Sequence, residues 1–508
     1  MFESARRARS RWINVQSRPN QFLVPRIVTL SFSMMKRNNL KYLPTDKDGG
    51  FAICNGLLFD AEINRILNDD NHYAKRTRHP GIAEDCMIEY GIWAEDTAKE
   101  TGKGRTDMKL LNALMSSWRG KPDSVADDSF YYSLQYTIKT HKVVTVPRVL
   151  HCSVDHPMLP GMRMVTKILH DRVIRLPHLY KDTDDFLRKL SRAKLTADCE
   201  ILKFDIKDYY MSGEHSNITT SCASEVKSAQ SKITKKGLGV FLDSQFVQTE
   251  KHSKHVYKVT KGAGMGSMYA GDASDLHFYV SAEKAFCLLP AVRREYGIIF
   301  YGRFKDDGII IFSHRSHEVR CRFWNKFQAF ANEYKITVDS WSADEAVFLD
   351  VRVFKGTDFA YNLKLDYDLY VKPTSVYKPL SPWSSHAKSV HNSWPISQLN
   401  RITKRFSNPA RAIHALLSFR DQYSRLFGLF LPEKDEIIKT LETTTCNSPR
   451  SWLVLPYTPC WAGAALGRAL NLVSVPSAMD PVGRCSISWK LGHAHLVHRL
   501  RRYGTARA

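Results

Sequence analysis

Two adjacent carboxylates, Asp306 and Asp307, stand between the apolar runs Gly297-Ile-Ile-Phe-Tyr301 and Ile309-Ile-Ile-Phe312. Both runs are short and rich in β-branched and aromatic residues, so each predicts a buried strand. Asp307-Gly308 is a favoured pair for a tight two-residue turn, which predicts a β-hairpin with the acids at its tip. Like charges placed there repel each other, and a cation relieves them. Mg²⁺ suits the position because it takes one or two carboxylates and leaves its other positions to water and phosphate. Asp-Asp-Gly by itself is equally an ordinary solvated turn. A second acid changes the balance: Glu200-Ile-Leu-Lys-Phe-Asp-Ile206 reads as a strand ending near Asp205. Carboxylates from strands far apart in sequence are what a two-metal phosphoryl-transfer site needs, with its ions about 4 Å apart. Asp208 is a weaker candidate, as well suited to capping the next helix.

Composition narrows the partner. Lys and Arg number 74 against 51 Asp and Glu in 508 residues, a formal net charge of +23 at pH 7. So positive a field favours a polyanion, and nucleic acid is the first candidate. Apolar and charged fractions of 43% and 25% are those of a globular protein. The length suffices for two or three domains with cores of their own. No stretch of about 18 uncharged apolar residues occurs, so no membrane partner is expected. Ten cysteines are scattered without a C-x-x-C pair. That leaves no zinc knuckle or redox motif and fits a reducing, intracellular compartment, expected to be nuclear. Residues 1–39 carry the cluster Arg6-Arg7-Ala-Arg9-Ser-Arg11 and a single acid, Glu3. A transit peptide with organellar targeting, a nucleic-acid arm and a misplaced start codon all fit it.

The elements that must position the acids follow from the apolar pattern. Leu40 to Leu43 and Phe51 to Cys54 read as strands joined by the turn formers of Asp46-Lys-Asp-Gly-Gly50. Asp60 reads as the cap of a helix that buries Ile63, Ile66 and Leu67. Residues 76–128 are mostly polar and show no clear organisation. Tyr131 to Ile138 is strand-like, and Lys139-Thr-His-Lys142 and Pro147-Arg148 follow it. Those basic groups suit a polyphosphate or a plain solvated face. Residues 162–195 hold a helix-length segment. Lys261-Gly-Ala-Gly-Met-Gly-Ser267 precedes a helical pattern, and its glycines let a backbone or a base pair approach closely. Residues 316–335 predict an amphipathic helix with Val319, Phe323, Phe327 and Phe330 inward. Phe348 to Phe354 reads as one strand, pairing with the stretch from Asn362 to Lys372. Residues 395–430 read as helical, burying Ile396, Leu399 and Ile402 and clustering Arg401, Lys404 and Arg405 as if to track a duplex backbone.

Taken in order, the motifs resemble those of reverse transcriptases, with the Penelope-like retroelement group nearest. They are Thr45-Asp-Lys-Asp-Gly-Gly50, Lys139-Thr-His-Lys142 with Pro147-Arg148, Lys203-Phe-Asp-Ile206 and Gly262-Ala-Gly-Met-Gly-Ser267. They continue as Arg303-Phe-Lys-Asp-Asp307, Phe348-Leu-Asp-Val351, Leu369-Tyr-Val-Lys-Pro-Thr374, and Ser385-His386 through Pro395-Ile-Ser-Gln-Leu-Asn-Arg401. The resemblance covers residues 40–455. It implies an α+β right-hand polymerase fold: a basic extension over 1–39, an N-terminal region and fingers over 40–195, a palm with an antiparallel sheet over 196–375, a helical thumb over 376–455 and a tail over 456–508. It implies an RNA-directed DNA polymerase with an RNA template, a DNA primer and dNTP as partners. Asp205, Asp306 and Asp307 would be the catalytic acids and the ligands of two Mg²⁺ ions, with Mn²⁺ as the substitute. Lys142 and Arg148 would hold the triphosphate, and Gly266 would lie against the nascent base pair. Tyr210 would be the gate that rejects the ribose 2′-OH, the group that separates RNA from DNA precursors. A plain core aromatic is the other reading of Tyr210, with Tyr209 one residue away. Leu369 to Lys372 would grip the primer end, with Lys372 binding nucleic acid, as Arg401, Lys404 and Arg405 would.

The chain departs from the family pattern in three places. Lys305 fills a slot that is often neutral, from which a cation competes for the metal carboxylates. The glycine turn runs on as Tyr269-Ala-Gly-Asp-Ala-Ser-Asp275, lacking the proline often found there and adding Asp272. Residues 456–508 show no GIY-YIG nuclease motif, so self-sufficient integration is not expected. Two other classes stay open. A catalytically inactive relic that binds nucleic acid is opposed by the three intact acids, and an RNA-templated RNA polymerase by Tyr210.

Overall fold

Apolar side chains at alternate positions or in short runs favour strands, and those recurring at every third or fourth position favour helices. The computed structural model describes residues 23–46, 51–101, 112–116, 127–139, 146–313, 316–371, 380 and 388–427. Lys142, Lys372, residues 47–50 and the tail over 456–508 lie outside the described residues.

Helix α1 (Leu23–Arg37) leads to strands β1 (Leu40–Pro44) and β2 (Phe51–Asn55), helix α2 (Gly56–Leu67), strand β3 (Tyr73–Thr77) and helix α3 (Pro80–Thr101). A short helix α4 (Asp127–Phe130), strands β4 (Tyr132–Lys139) and β5 (Val146–Cys152), and helices α5 (Leu159–Val173) and α6 (Thr183–Leu190) follow. Next come β6 (Glu200–Lys207), α7 (His215–Glu225), α8 (Ser228–Asp243), β7 (Phe246–Gln248), β8 (His255–Val259) and α9 (Ala270–Phe278), which runs on as a π-helix over Tyr279–Cys287. Helix α10 (Pro290–Tyr296), strands β9 (Ile298–Phe304) and β10 (Asp307–Phe312), helix α11 (His317–Phe330) and strand β11 (Lys335–Ser342) complete the centre. Strands β12 (Glu345–Phe348) and β13 (Val351–Phe354), helix α12 (Phe359–Asn362), strand β14 (Asp366–Leu369) and helices α13 (Lys388–Lys404) and α14 (Pro409–Phe427) end the described chain.

Four strands in the order β11-β6-β10-β9 form an antiparallel sheet. Along the chain they run strand, helices, hairpin, helix, strand, which is the split β-α-β plan. One face packs Leu202, Phe204, Ile206, Ile310 and Phe312 on Phe278, Phe286, Phe323 and Phe327 of the helices. The other buries Ile201, Phe300, Ile309 and Ile311 among Phe186, Phe348 and Val351. Phe204 is wholly buried, and a side chain of that size contributes about 1.5–3 kcal/mol. The chain thus adopts the expected α+β class, and this sheet with its helices occupies the stretch over which the palm is expected. A five-stranded sheet, β3-β8-β7-β4-β5, and a three-stranded one, β12-β13-β14, complete the larger β-structure.

Several local expectations shift. β9 and β10 form the hairpin, but Phe304 pairs with Asp307, so Lys305 and Asp306 make the turn, and Asp307 and Gly308 belong to β10. Gly308 answers to packing: a Cβ there would stand 2.0 Å from the Phe204 ring. Phe348 to Phe354 is two strands, turning at Leu349 (φ 55°) and Asp350, while β14 pairs with β13 as expected. The cap of α2 is Asn55, whose side chain accepts from the Leu57 and Leu58 amides; Asp60 lies within the helix and pairs with Lys41. Asp208 stands before the 3₁₀ turn Tyr209–Met211 and makes no side-chain cap bond. Phe330 is 41% exposed, although its ring stacks on Phe286. The unorganised stretch over 76–128 contains α3, which buries Ala83, Met87, Tyr90, Trp93 and Ala94, and residues 162–195 span two helices rather than one.

The chain forms two units. The first, Met1–Pro379 with Asn400–Ala412, contains the three hydrophobic cores found among the described residues. In the second, Leu380–Leu399 with Ile413–Ala508, the rings of Trp394 and Phe419 lie 6.1 Å apart. Among the described residues no helix is long and apolar enough to cross a membrane.

Candidate active site

Strand β6 sends Leu202, Phe204 and Ile206 to the helices, so Lys203, Asp205 and Lys207 share the other face. Strand β10 runs beside it with Asp307 directly opposite Asp205, and the Ile206 amide donates to the Asp306 carbonyl at 2.9 Å. Acids far apart in sequence therefore meet at one end of the sheet. Burial raises the pKa of Asp306 above the ordinary carboxylate value, and the charges of Asp307 and Asp205 raise it further, with Arg148 working against them. Lys207 pairs with Asp205. Lys203 bridges Asp307 at 3.2 Å and Asp339 at 3.1 Å. Burial opposes the charge on Lys203, but Asp307 and Asp339 outweigh it and raise its pKa.

The same corner takes in two more of the expected residues. Arg148 of β5 pairs with Asp46 at 2.9 Å and lies close enough to Asp306 and Tyr210 to act on both electrostatically. Tyr210 is half-buried, packed at the edges of two cores. Burial and then Asp306 push its hydroxyl up to about 12. Tyr209 differs in kind: it is buried, and its hydroxyl donates to Asp275 at 2.7 Å. Gly266 has φ 109°, and a Cβ on it would stand 2.8 Å from the His151 carbonyl oxygen. At Gly262, with φ 71°, an added Cβ would likewise stand 2.3 Å from the Met211 backbone. These glycines let the loop after β8 pass against β5 and the 3₁₀ turn.

Arg401, Lys404 and Arg405 are engaged elsewhere. Arg401 pairs with Asp350 at 2.8 Å, Arg405 with Asp350 at 3.1 Å and with Asp184, and Lys404 with Asp184 at 3.3 Å. Lys305 turns away from Asp306 and Asp307 to Asp275, 2.5 Å from its Oδ2. Sequence reading misses Lys203, Lys207 and Asp339 as partners of the acids. Period-2 spacing from Asp205 is the signal that could have found the two lysines. Asp339 sits where the register of β11 shifts between Val338 and Ser340, which no local pattern marks.

Among the described residues no group of three or more His, Cys, Asp and Glu side chains stands ready to hold a metal ion, and Asp205 and Asp307 are each held by a lysine. The donor set itself fits a hard divalent cation. Its members are carboxylates, one of them half-buried and pressed by two like charges, which are the oxygen ligands Mg²⁺ takes.

No family model and no curated protein matches the chain. Among solved structures, the telomerase of Candida albicans in complex with a TWJ fragment of telomeric RNA is similar at 9% identity and a TM-score of 0.44, over 71% of this chain and 58% of that one. The apo telomerase of Candida tropicalis is similar at 10% identity and a TM-score of 0.41, over 68% and 58%. An RNA-dependent RNA polymerase, solved with vp4 and dsRNA, is similar at 12% identity and a TM-score of 0.36, over 54% and 27%. The chain thus spans 55–58% of the length of the telomerases it is similar to.

Proposed function

We propose that the chain is a template-directed nucleotidyltransferase, and specifically an RNA-directed DNA polymerase of the retroelement kind that extends a DNA primer on an RNA template. The observation that carries the reading is the β6–β10 register, which sets Asp205 opposite Asp307 with Asp306 beside them. In the reaction the primer 3′-OH attacks the α-phosphorus of a dNTP, the new phosphodiester bond forms, and pyrophosphate leaves. Asp205, Asp306 and Asp307 would hold Mg²⁺, or Mn²⁺ in its place, whose chemistry there is to neutralise charge on the transferring phosphoryl group. Arg148 brings a planar fork of donors to the same corner and would bind the triphosphate tail. The Tyr210 ring would stand beneath the sugar and exclude a 2′-OH. Lys142 and Lys372 belong to the same proposal as triphosphate and primer contacts.

A second reading, the inactive relic that still binds nucleic acid, draws support from Lys207 and Lys203, which already neutralise Asp205 and Asp307. Primer extension on poly(rA)/oligo(dT) with Mg²⁺, wild type beside Asp306→Ala, separates the two. Incorporation by wild type alone supports the polymerase. No incorporation by either, with the primer-template still bound, supports the relic.

A further inference from the structure

Behind the turn that carries Asp306 lies a charged cluster with no part in the reaction as proposed. Arg303 of β9 is wholly buried. Its Nε and Nη2 donate to the two oxygens of Glu283 at 2.9 and 3.0 Å, and its Nη1 donates to Asp275 Oδ1 at 2.9 Å. The same Nη1 reaches the Tyr209 hydroxyl at 2.6 Å and the Lys305 carbonyl at 2.7 Å. Lys305 closes the cluster from outside through Asp275 Oδ2. Glu283 also accepts from the Tyr301 hydroxyl at 2.8 Å and lies 3.0 Å from His178 Nε2.

Such a cluster is weakly explained by stability, because packed apolar side chains of the same volume would often do as well or better. Its construction points to placement. Glu283 is delivered by the π-helical stretch Tyr279–Cys287, a rare backbone form frequent at functional sites. Two of the groups bound to Arg303 lead straight to the site. The Lys305 carbonyl belongs to the residue before Asp306. Tyr209 precedes Tyr210, and the two rings meet edge-on with centroids 5.2 Å apart.

We propose that Arg303 is a positioning residue whose guanidinium ties the Asp306 turn to the Tyr209-Tyr210 pair, so that carboxylate placement and sugar choice depend on one side chain. The inference rests on the polymerase reading, and Arg303, being wholly buried, is assigned no contact with substrate.

Primer extension with dNTP and with rNTP compares wild type, Arg303→Lys and Tyr209→Phe. Arg303→Lys keeps a cation and loses the fork. Tyr209→Phe removes one hydroxyl from a ring that stays packed, and so remains informative if the lysine variant fails to fold. For Arg303→Lys the expected kcat falls about tenfold with the dNTP KM little changed, and in both variants the preference for dNTP over rNTP falls by about tenfold. That ratio does not depend on how much of the enzyme is folded, so a merely structural role leaves it unmoved. An active Tyr209→Phe enzyme with wild-type selectivity overturns the inference and leaves the polymerase reading intact. A wild type inert on every primer-template overturns that reading, and the inference with it.

Discussion

Replacing Asp306 by Asn should abolish nucleotide transfer and yet make the ion-free protein more stable. Asp306 is half-buried in the turn next to Asp307, with Asp205 across the strand pair. Burial raises its pKa first, and Asp307 and Asp205 raise it further. Like charges this close are destabilising, and if each repulsion matches the worth of an opposite-charge pair, about 0.2–1 kcal/mol, then Asp307 beside it and Asp205 on the next strand, partly relieved by Arg148, imply a gain of about 1 kcal/mol for the neutral isostere. In a chain of this size that is a rise of about 2 °C in Tm. The sign with pH follows from the raised pKa. Below the unfolded value, about 3.9, folded and unfolded states both hold the proton and the cost is absent. As pH rises through the folded value the proton is lost, and the stability it gave is lost with it. The advantage of Asn over Asp should therefore be full at pH 7 and shrink toward pH 4.

Thermal unfolding in EDTA, stepped from pH 7 downward, reads this difference. Added Mg²⁺ then isolates the ligand role: an ion present at ten times its Kd stabilises by about 1.4 kcal/mol, and only wild type should gain it. An Asp306→Asn protein less stable than wild type in EDTA at neutral pH would refute the reasoning, since Asp306 would then be an anion held by partners and not one merely tolerated.

Other expectations follow from the same corner. Arg148→Ala should raise the dNTP KM about tenfold to hundredfold before it lowers kcat, as loss of charge-assisted bonds to a phosphate predicts; steady-state kinetics with unchanged KM would count against it. Tyr210→Ala should admit ribonucleotides, weakening sugar discrimination about tenfold to hundredfold, the worth of one overpacked heavy atom against a rigid wall. Competing rNTP and dNTP in single-nucleotide extension measures it. Gly308→Ala would bring a Cβ to 2.0 Å from the Phe204 ring. It should cost about 1–3 kcal/mol in urea unfolding, with lower activity, because the strain falls between the two strands that carry the acids.

The strands of the four-stranded sheet were legible because both faces of the sheet are covered. Ile201 to Ile206 and Ile309 to Phe312 read as apolar runs for that reason. The meeting of Asp205 and Asp307 was legible only through the order of motifs, since register between distant strands has no local signature. Helix α3 went unread although Ala83, Met87, Tyr90, Ala94 and Thr97 recur at helical spacing and are all buried; the polar residues between them masked the stripe. The hairpin turn was placed two residues late because Asp-Gly is so strong a turn pair. Packing on Phe204 claims Gly308 for the strand, and Lys305 takes the positive φ of 53° that the turn requires. Arg303, Asp275 and Glu283 carry no sequence mark of burial at all, because charged residues are almost never fully buried unless paired, and pairing is a property of the fold.

Lys305 makes the point about charge most sharply. In sequence it is the nearest cation to Asp306 and Asp307, from which pairing with them is expected. In the hairpin its ammonium goes to Asp275 instead, and the cations beside the acids come from β6, where Lys203 and Lys207 share the face of Asp205. These lysines do not decide where the acids stand. The β6–β10 register does, and an ion pair with a half-exposed lysine such as Lys207 is worth about 1 kcal/mol or less. An incoming ion can therefore displace Lys207 without moving the backbone. The charge count favours that exchange: Asp205, Asp306, Asp307 and Asp339 face Lys203, Lys207 and Arg148, and Arg148 is itself drawn toward Asp46. Four acids against at most three cations leave the corner short of positive charge, a deficit that adds to burial in raising the pKa of Asp306.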